Sequence, residues 1–362
     1  MSYIGSKPAD AVLETDDIAD GVVTNPKLST GSQQNFRNII INSDMSIAQR
    51  STSTASITTS GYHTVDRFQT LISSLGTWTQ SQSTTVPSGQ GFATSLKMDN
   101  TTADASPGSG DFCIVRTKFE GQNLQYLKKG TSSAKSLTLS FWVRSNKTGT
   151  YIAELYDSDN TRQNSQSYTI SSADTWEKKT ITYAGDTTGA FDNDNALSLS
   201  INFWLGSGTD FTSGTLSTSW SSVTSANRAV GQVNLADSTS NEWYVTGIQL
   251  EAGSVSSDFE FLPVDCNLQR CQRYFSTGVI ETNFMANGGG TVYDTYPLPV
   301  KMRANPTMAN VSQWTYFSGG GSANFTPNSI NTTSNLMFEV QGNGLTNCRG
   351  FISGGWSASA EL

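Results

Sequence analysis

Residues 137–156 read LTLSFWVRSNKTGTYIAELY. Leu137, Leu139, Phe141 and Val143 alternate with Thr138, Ser140, Trp142 and Arg144, the period of two that puts one face of a strand into a core. Turn residues interrupt the pattern at SNKTGT, where Gly149 is free to take a positive φ, and Tyr151, Ala153 and Leu155 restart it. The stretch predicts two strands joined as an antiparallel hairpin. The alternation returns at 197–208, LSLSINFWLGSG, with Leu197, Leu199, Ile201, Phe203 and Leu205 on one face and Ser198, Ser200, Asn202 and Trp204 on the other. Trp142 and Trp204 therefore stand opposite aliphatic rows, on what is expected to be a single sheet.

Segments of the same kind are spaced along the chain: LGTWTQSQST from Leu75, ATSLKMDN from Ala93, FCIVRTKFE from Phe112, WEKKTITYAG from Trp176 and EWYVTGIQLE from Glu242, with a short buried strand expected over Ile39–Ile41. No helical pattern ten residues long lies among them, and about nine strands fit a two-sheet jelly roll. The only clear helical signal is in PVDCNLQRCQRYF, where Pro263 and Asp265 suit a helix start and Leu268, Cys271 and Phe275 share a face. The expected organisation is all-β: an extended N-terminal arm over 1–36, a jelly-roll β-sandwich over 37–262, a short linker helix over 263–276 and a smaller C-terminal β domain over 277–362.

Composition excludes several functions. Of 362 residues 14% are charged and the net charge is −8, with 22 scattered Lys and Arg, which argues against nucleic-acid binding. No apolar run has the length of a membrane span, and the first residues lack the basic and apolar regions of a signal peptide, so a soluble chain not exported by the usual route is expected. Cys113, Cys266, Cys271 and Cys348 form no CxxC pair, and reduced thiols are the expectation.

A resemblance is carried by YIGSKP (3–8), IADGVVTNPKL (18–28), NIIINSDMSIAQRSTS (38–53), GYHTVDRF (61–68), SFWVRSNKTGTY (140–151) and the long segment WYVTGIQLEAGSVSSDFEFLPVDCNLQRCQRYF (243–275). These pieces, spread over roughly the first 275 residues, resemble the tail-fibre and related virion-surface proteins of tailed phages, especially those of marine and cyanobacterial hosts. The resemblance implies a homotrimeric, non-enzymatic fibre subunit of the virion, made in the host cytoplasm. It further implies an N-terminal arm bound to tail or virion adaptor proteins, a jelly roll similar to carbohydrate-binding modules, and a variable tip that meets a host cell-surface glycan. A purely structural virion component and a polysaccharide depolymerase are the alternatives. No cofactor is expected.

Candidate residues follow. Tyr3, Ile4 and Gly5 form an apolar tip suited to anchoring on the virion. Trp314, Tyr316, Phe317 and Trp356 lie near glycine-rich turns, and Trp220 lies in the long Ser/Thr/Gly loop from Gly206 to Val223; flat rings of this kind stack on the apolar C–H faces of sugars. Trp142 and Trp204 face a second layer, a neighbouring subunit or a sugar. The acidic turns Asp157/Asp159 and Asp192/Asp194 offer oxygen ligands but lack the EF-hand pattern and are read as solvated turns, so no metal is assigned. His63 is read as structural, and Arg50 with the Asp66–Arg67 pair as a charged pin between strands. No catalytic residue is assigned.

Overall fold

The computed structural model describes residues 36–286, 292–312, 314–318, 321–325, 329–342 and 348–362. The chain divides into two compact units, Met1–Arg37 and Asn38–Leu362, and every element below belongs to the second. The predicted anchor at Tyr3, Ile4 and Gly5 lies outside the described residues.

Thirteen strands build the sandwich: β1 (Ser53–Ile57), β2 (Gly61–Tyr62), β3 (Gln69–Ser73), β4 (Thr77–Ser83), β5 (Ser95–Thr102), β6 (Phe112–Glu120), β7 (Leu137–Ser145), β8 (Gly149–Asp157), β9 (Arg162–Ile170), β10 (Glu177–Tyr183), β11 (Leu197–Ser207), β12 (Ser221–Ser222) and β13 (Glu242–Ala252). They form a six-stranded sheet in the order β1-β4-β5-β13-β7-β10 and a seven-stranded sheet in the order β12-β9-β8-β11-β6-β3-β2. Antiparallel partners nest: β5 with β13, β6 with β11, β7 with β10 and β8 with β9, alternating between the sheets. That nesting is the jelly roll.

Both strands of the 137–156 stretch form, but they are not a hairpin. Strand β7 belongs to the six-stranded sheet and β8 to the seven-stranded one, so residues 146–148 carry the chain from one layer to the other. A period of two reports which face is buried and is silent on whether the next strand lies alongside or opposite. Gly149 takes φ +132°, and Tyr151 Oη donates to the Lys147 carbonyl at 2.9 Å, which fixes the crossing. For the same reason Trp142 and Trp204 are not on one sheet; they stand on the outer faces of opposite sheets.

Between the layers the inward residues make one core. The Phe141 ring on β7 meets Tyr168 at 5.0 Å and Phe203 at 5.2 Å from the other sheet, and Phe203 meets Trp243 at 5.8 Å. Trp78, also fully buried, donates its Nε1–H to the Leu75 carbonyl. No strand forms over Ile39–Ile41. Instead Asn38 acts as a buried connector: its Oδ1 accepts from the Ile40 and Leu250 amides and its Nδ2 donates to the Ile248 carbonyl.

Two α-helices are described, α1 (Thr209–Thr212) within the long loop and α2 (Val264–Gln272) inside the predicted 263–276 segment. Asn267 of α2 is buried; its Oδ1 accepts from the Asn42 amide and its Nδ2 donates to Asp44 and Ser46. Helix α2 is therefore docked against the 42–46 segment. Beyond it come β14 (Phe275–Ala286), β15 (Val292–Pro297), β16 (Thr307–Asn310), β17 (Trp314–Ser318), β18 (Gly321–Phe325), β19 (Ser329–Thr332), β20 (Met337–Gly342) and β21 (Cys348–Ser359), in a five-stranded and a three-stranded sheet. Charged side chains tie this region to the sandwich. Arg273 forks onto the buried Glu120 carboxylate at 3.0 and 2.8 Å, Arg50 and Arg67 both pair with Glu361, and Arg303 donates to the Asn195 carbonyl. Arg50 also stands 3.7 Å from Asp66, so the Arg50/Asp66/Arg67 group pins the sandwich to the last strand's tail.

Candidate functional site

The structure separates the predicted site residues. Trp314 is 0% and Trp356 5% exposed; both lie in the core of the C-terminal sheets with Phe338 and Val340. This corrects their assignment as ligand-facing rings, because a module of that size needs its largest side chains inside. Trp314 donates to Asn310 Oδ1 at 2.8 Å, and the Trp356 ring packs 4.8 Å from Phe338. Tyr316 and Phe317 lie on β17, and their side chains fall outside what the structure describes. Trp220 is half-buried against the sandwich core, its Nε1–H held by the Ala184 carbonyl at 2.8 Å.

Trp204 floors a cavity. On the outer face of the seven-stranded sheet, register sets three rows of side chains across the strands. Leu71, Ile114, Trp204 and Ile152 stand side by side; Gln69, Arg116, Asn202 and Glu154 form the next row; Lys118, Ser200 and Tyr156 the third. The segment after β11 folds back over the first row. Phe211 packs on Trp204 at 5.3 Å and on Phe112 at 5.3 Å, and the Ala229 amide donates to the Phe211 carbonyl at 2.9 Å. Trp204 is wholly covered as a result. What remains open beside it is a cavity of about 280 Å³, with Phe112, Phe211 and Tyr156 on its walls and Ser200 and Asn202 on its floor.

The polar groups of the cleft are strongly ordered. Glu154 is fully buried and accepts four hydrogen bonds: from Arg228 Nε at 2.7 Å and Nη2 at 2.9 Å, from Asn202 Nδ2 at 2.9 Å and from Trp204 Nε1 at 3.2 Å. Burial opposes the Arg228 charge, but the facing Glu154 carboxylate outweighs it and raises the pKa. Arg228 also lies 5.1 Å from the centres of both the Tyr156 and Trp204 rings, so one side chain braces the wall and the floor. Arg116 is different. Its Nε donates to Gln69 Oε1 at 2.7 Å, and burial, with the nearby Arg228 charge adding to it, pushes its pKa down.

A more open depression of about 520 Å³ lies by Lys128, Thr131 and Phe191. Of its lining residues, Lys129 has its ammonium already engaged. That ammonium meets Asp157 at 2.6 Å, Asp186 at 3.1 Å and the Thr188 and Gly189 carbonyls at 2.9 and 2.7 Å. The acidic turns meet here too, Asp159 accepting from the Asp192 amide at 2.9 Å. Among the described residues no group of three or more His, Cys, Asp or Glu is placed to hold a metal. His63 is half-buried, and burial lowers its pKa.

Sequence reasoning missed Arg116, Tyr156, Phe112, Phe211 and Arg228. The outward row Ser200-Asn202-Trp204 was visible in the alternation and, extended across the strands, would have reached the first two. Arg228 sits in a segment with no periodicity to read.

No family model matches the chain, and no curated protein does. Solved structures with some likeness include the enzymatically active domain of bacteriophage CBA120 tailspike protein 4, at 15% identity and a TM-score of 0.31, covering 60% of this chain and 21% of that one. Others are TmCBM61 in complex with β-1,4-galactotriose, at 10% identity and a TM-score of 0.30, covering 60% and 99%, and the family 11 carbohydrate-binding module from Clostridium thermocellum in complex with a β-1,3-1,4-mixed-linked tetrasaccharide, at 13% identity and a TM-score of 0.27, covering 53% and 91%.

Proposed function

We propose that the chain is a glycan-binding subunit of a phage fibre and that the sugar is taken in the cleft of the seven-stranded sheet. The observation that carries this reading is the cleft itself: an apolar, aromatic-walled slot with Asn202 and Ser200 on its floor and two guanidinium groups at its side. Sugar rings need both an apolar surface for their C–H faces and directed hydrogen bonds for their hydroxyls. The volume lies near the lower end of small-ligand sites, about 300–1,000 Å³, which suits one ring of a longer chain.

The reading is of a binder and not a hydrolase. Glycoside cleavage calls for two carboxyl groups about 5–10 Å apart across the sugar. No carboxylate is among the residues lining the cleft, and Glu154, which bonds three of them, has its oxygens committed to Arg228, Asn202 and Trp204. In the proposed fibre the subunit is a homotrimer anchored by residues 1–36, so weak single sites add up by avidity on a repetitive host glycan.

Titration of the full chain against an oligosaccharide array tests the site. Tyr156→Ala should weaken binding roughly tenfold, the loss of about 1.4 kcal/mol of ring contact, while Trp356→Phe should leave it unchanged. Binding that survives Tyr156→Ala would move the site elsewhere, and no binding to any glycan would favour a structural virion component. Light scattering measures the mass; a stable monomer would remove the trimer.

A further inference from the structure

The cleft holds two guanidinium groups in one neighbourhood, and they are not equivalent. The Nε–Nη2 edge of Arg228 is taken by both oxygens of Glu154, which makes the pair neutral. Arg116 lies in the same cross-strand row, with Asn202 standing between it and Glu154. Among the described residues its one hydrogen-bond acceptor is the neutral Gln69 Oε1, which takes Nε–H and thereby fixes the plane of the fork. No carboxylate of the described residues lies within salt-bridge distance of it, and its terminal NH₂ groups are left for the cavity it lines. Lys118, the next cation along β6, is not among the lining residues and donates to the Leu362 backbone oxygen.

We infer that the ligand of this cleft is an acidic glycan, bearing a carboxylate or a sulfate, and that Arg116 is the residue that receives the anionic group. The inference rests on the glycan-binding reading of the same cleft. A partly buried cation without a counter-charge is costly, and an incoming anion repairs that cost. The planar fork presents two parallel N–H groups to two oxygens of one carboxylate or sulfate. Burial, with the nearby Arg228 charge adding to it, presses the Arg116 pKa down, which points the same way. The chain as a whole carries −8, so a polyanion meets general repulsion and must be held by a local contact.

The test is calorimetric titration of the full chain with polygalacturonate, dextran sulfate and neutral dextran of matched length, at low and at high salt. The expected result is binding of an acidic polymer, weakened by salt, with little binding of dextran. Which of the two acidic polymers binds tells uronate from sulfate. Arg116→Gln should lower that affinity by roughly tenfold or more, and Arg116→Lys should restore part of it. Competition by free galacturonate or sulfate on the unaltered chain reports the same contact without a substitution and keeps the test open if Arg116→Gln fails to fold. Equal binding of dextran, or affinity unchanged in a folded Arg116→Gln chain, would overturn the anionic ligand and leave the glycan-binding reading standing. No binding of any of the three polymers, nor of an array, would overturn both.

Discussion

The two outer faces of the sandwich begin from the same sequence pattern and end differently. Trp142 on β7 and Trp204 on β11 each stand opposite an aliphatic row, each beside charged residues. On the six-stranded sheet Trp142 stays half-buried, between Thr246 and Lys178 in register. Near it Tyr244 is flanked by Lys97 and Arg144, which share Glu242 at 2.7 and 3.3 Å in reach of water. On the seven-stranded sheet the 208–229 segment closes over Trp204 and takes its carboxylate, Glu154, out of water altogether. The strand decides only that a ring faces outward; the covering loop decides whether that ring becomes core, wall or surface.

Substitutions can sharpen that contrast. Trp204→Ala should cost about 4 kcal/mol in chemical denaturation, since it empties a fully buried site, whereas Trp142→Ala should cost under about 1 kcal/mol. Equal losses would mean that the covering segment adds nothing. Glu154→Gln should follow at about 3 kcal/mol, because it leaves the Arg228 charge desolvated and unpaired. Phe211→Ala should cost about 1–2 kcal/mol and shift Trp204 fluorescence to the red as the cover loosens; an unmoved spectrum would show the segment held in place by its other contacts.

The smallest effect belongs to Glu242→Gln, under about 1 kcal/mol, because water screens this pair. Its signature is in pH. Burial alone raises the Glu242 carboxyl, but the Lys97 hydrogen bond, with Tyr244, Lys97 and Arg144 in support, outweighs it and holds the group below the ordinary carboxylate range. A depressed folded value stabilises above the unfolded pKa and is lost as pH falls through the folded one. Thermal unfolding between neutral pH and pH about 3 should therefore show a shallower acid decline in Glu242→Gln than in the parent chain.

The sandwich was legible wherever apolar residues alternate. Strands β6 and β7 run over the very residues read from the sequence, and β8, β11 and β13 come within two residues of it. Strand β9 was missed because RQNSQSYTI buries Gln163, Asn164 and Ser165 beneath the returning loop, so its polar residues hide its burial. The family-like motifs carried a different kind of information. Asn38, Asn42, Gln249 and Asn267 make the buried hydrogen bonds that hold the 38–47 segment, β13 and α2 together. Gly247 of GIQLE sits at φ +59° in a bulge where a side chain would strike the Phe92 ring. Those residue types are dictated by geometry, which no periodicity encodes. The cleft was the least legible part, because it is made where one row of strand residues meets a loop whose path depends on everything else.

The insertion of β13 between β5 and β7, and of β11 between β6 and β8, also sets an order of events during synthesis. Until β11 leaves the ribosome the seven-stranded sheet exists only as two fragments, and until β13 does the same holds for the other sheet. Each fragment presents an unpaired strand edge towards the gap. Closure waits on pairings between distant parts of the chain, which makes folding slow and leaves these edges open to neighbouring nascent copies in the meantime. For a chain proposed to work beside identical copies of itself, the two keystone strands are where correct assembly and aggregation part ways.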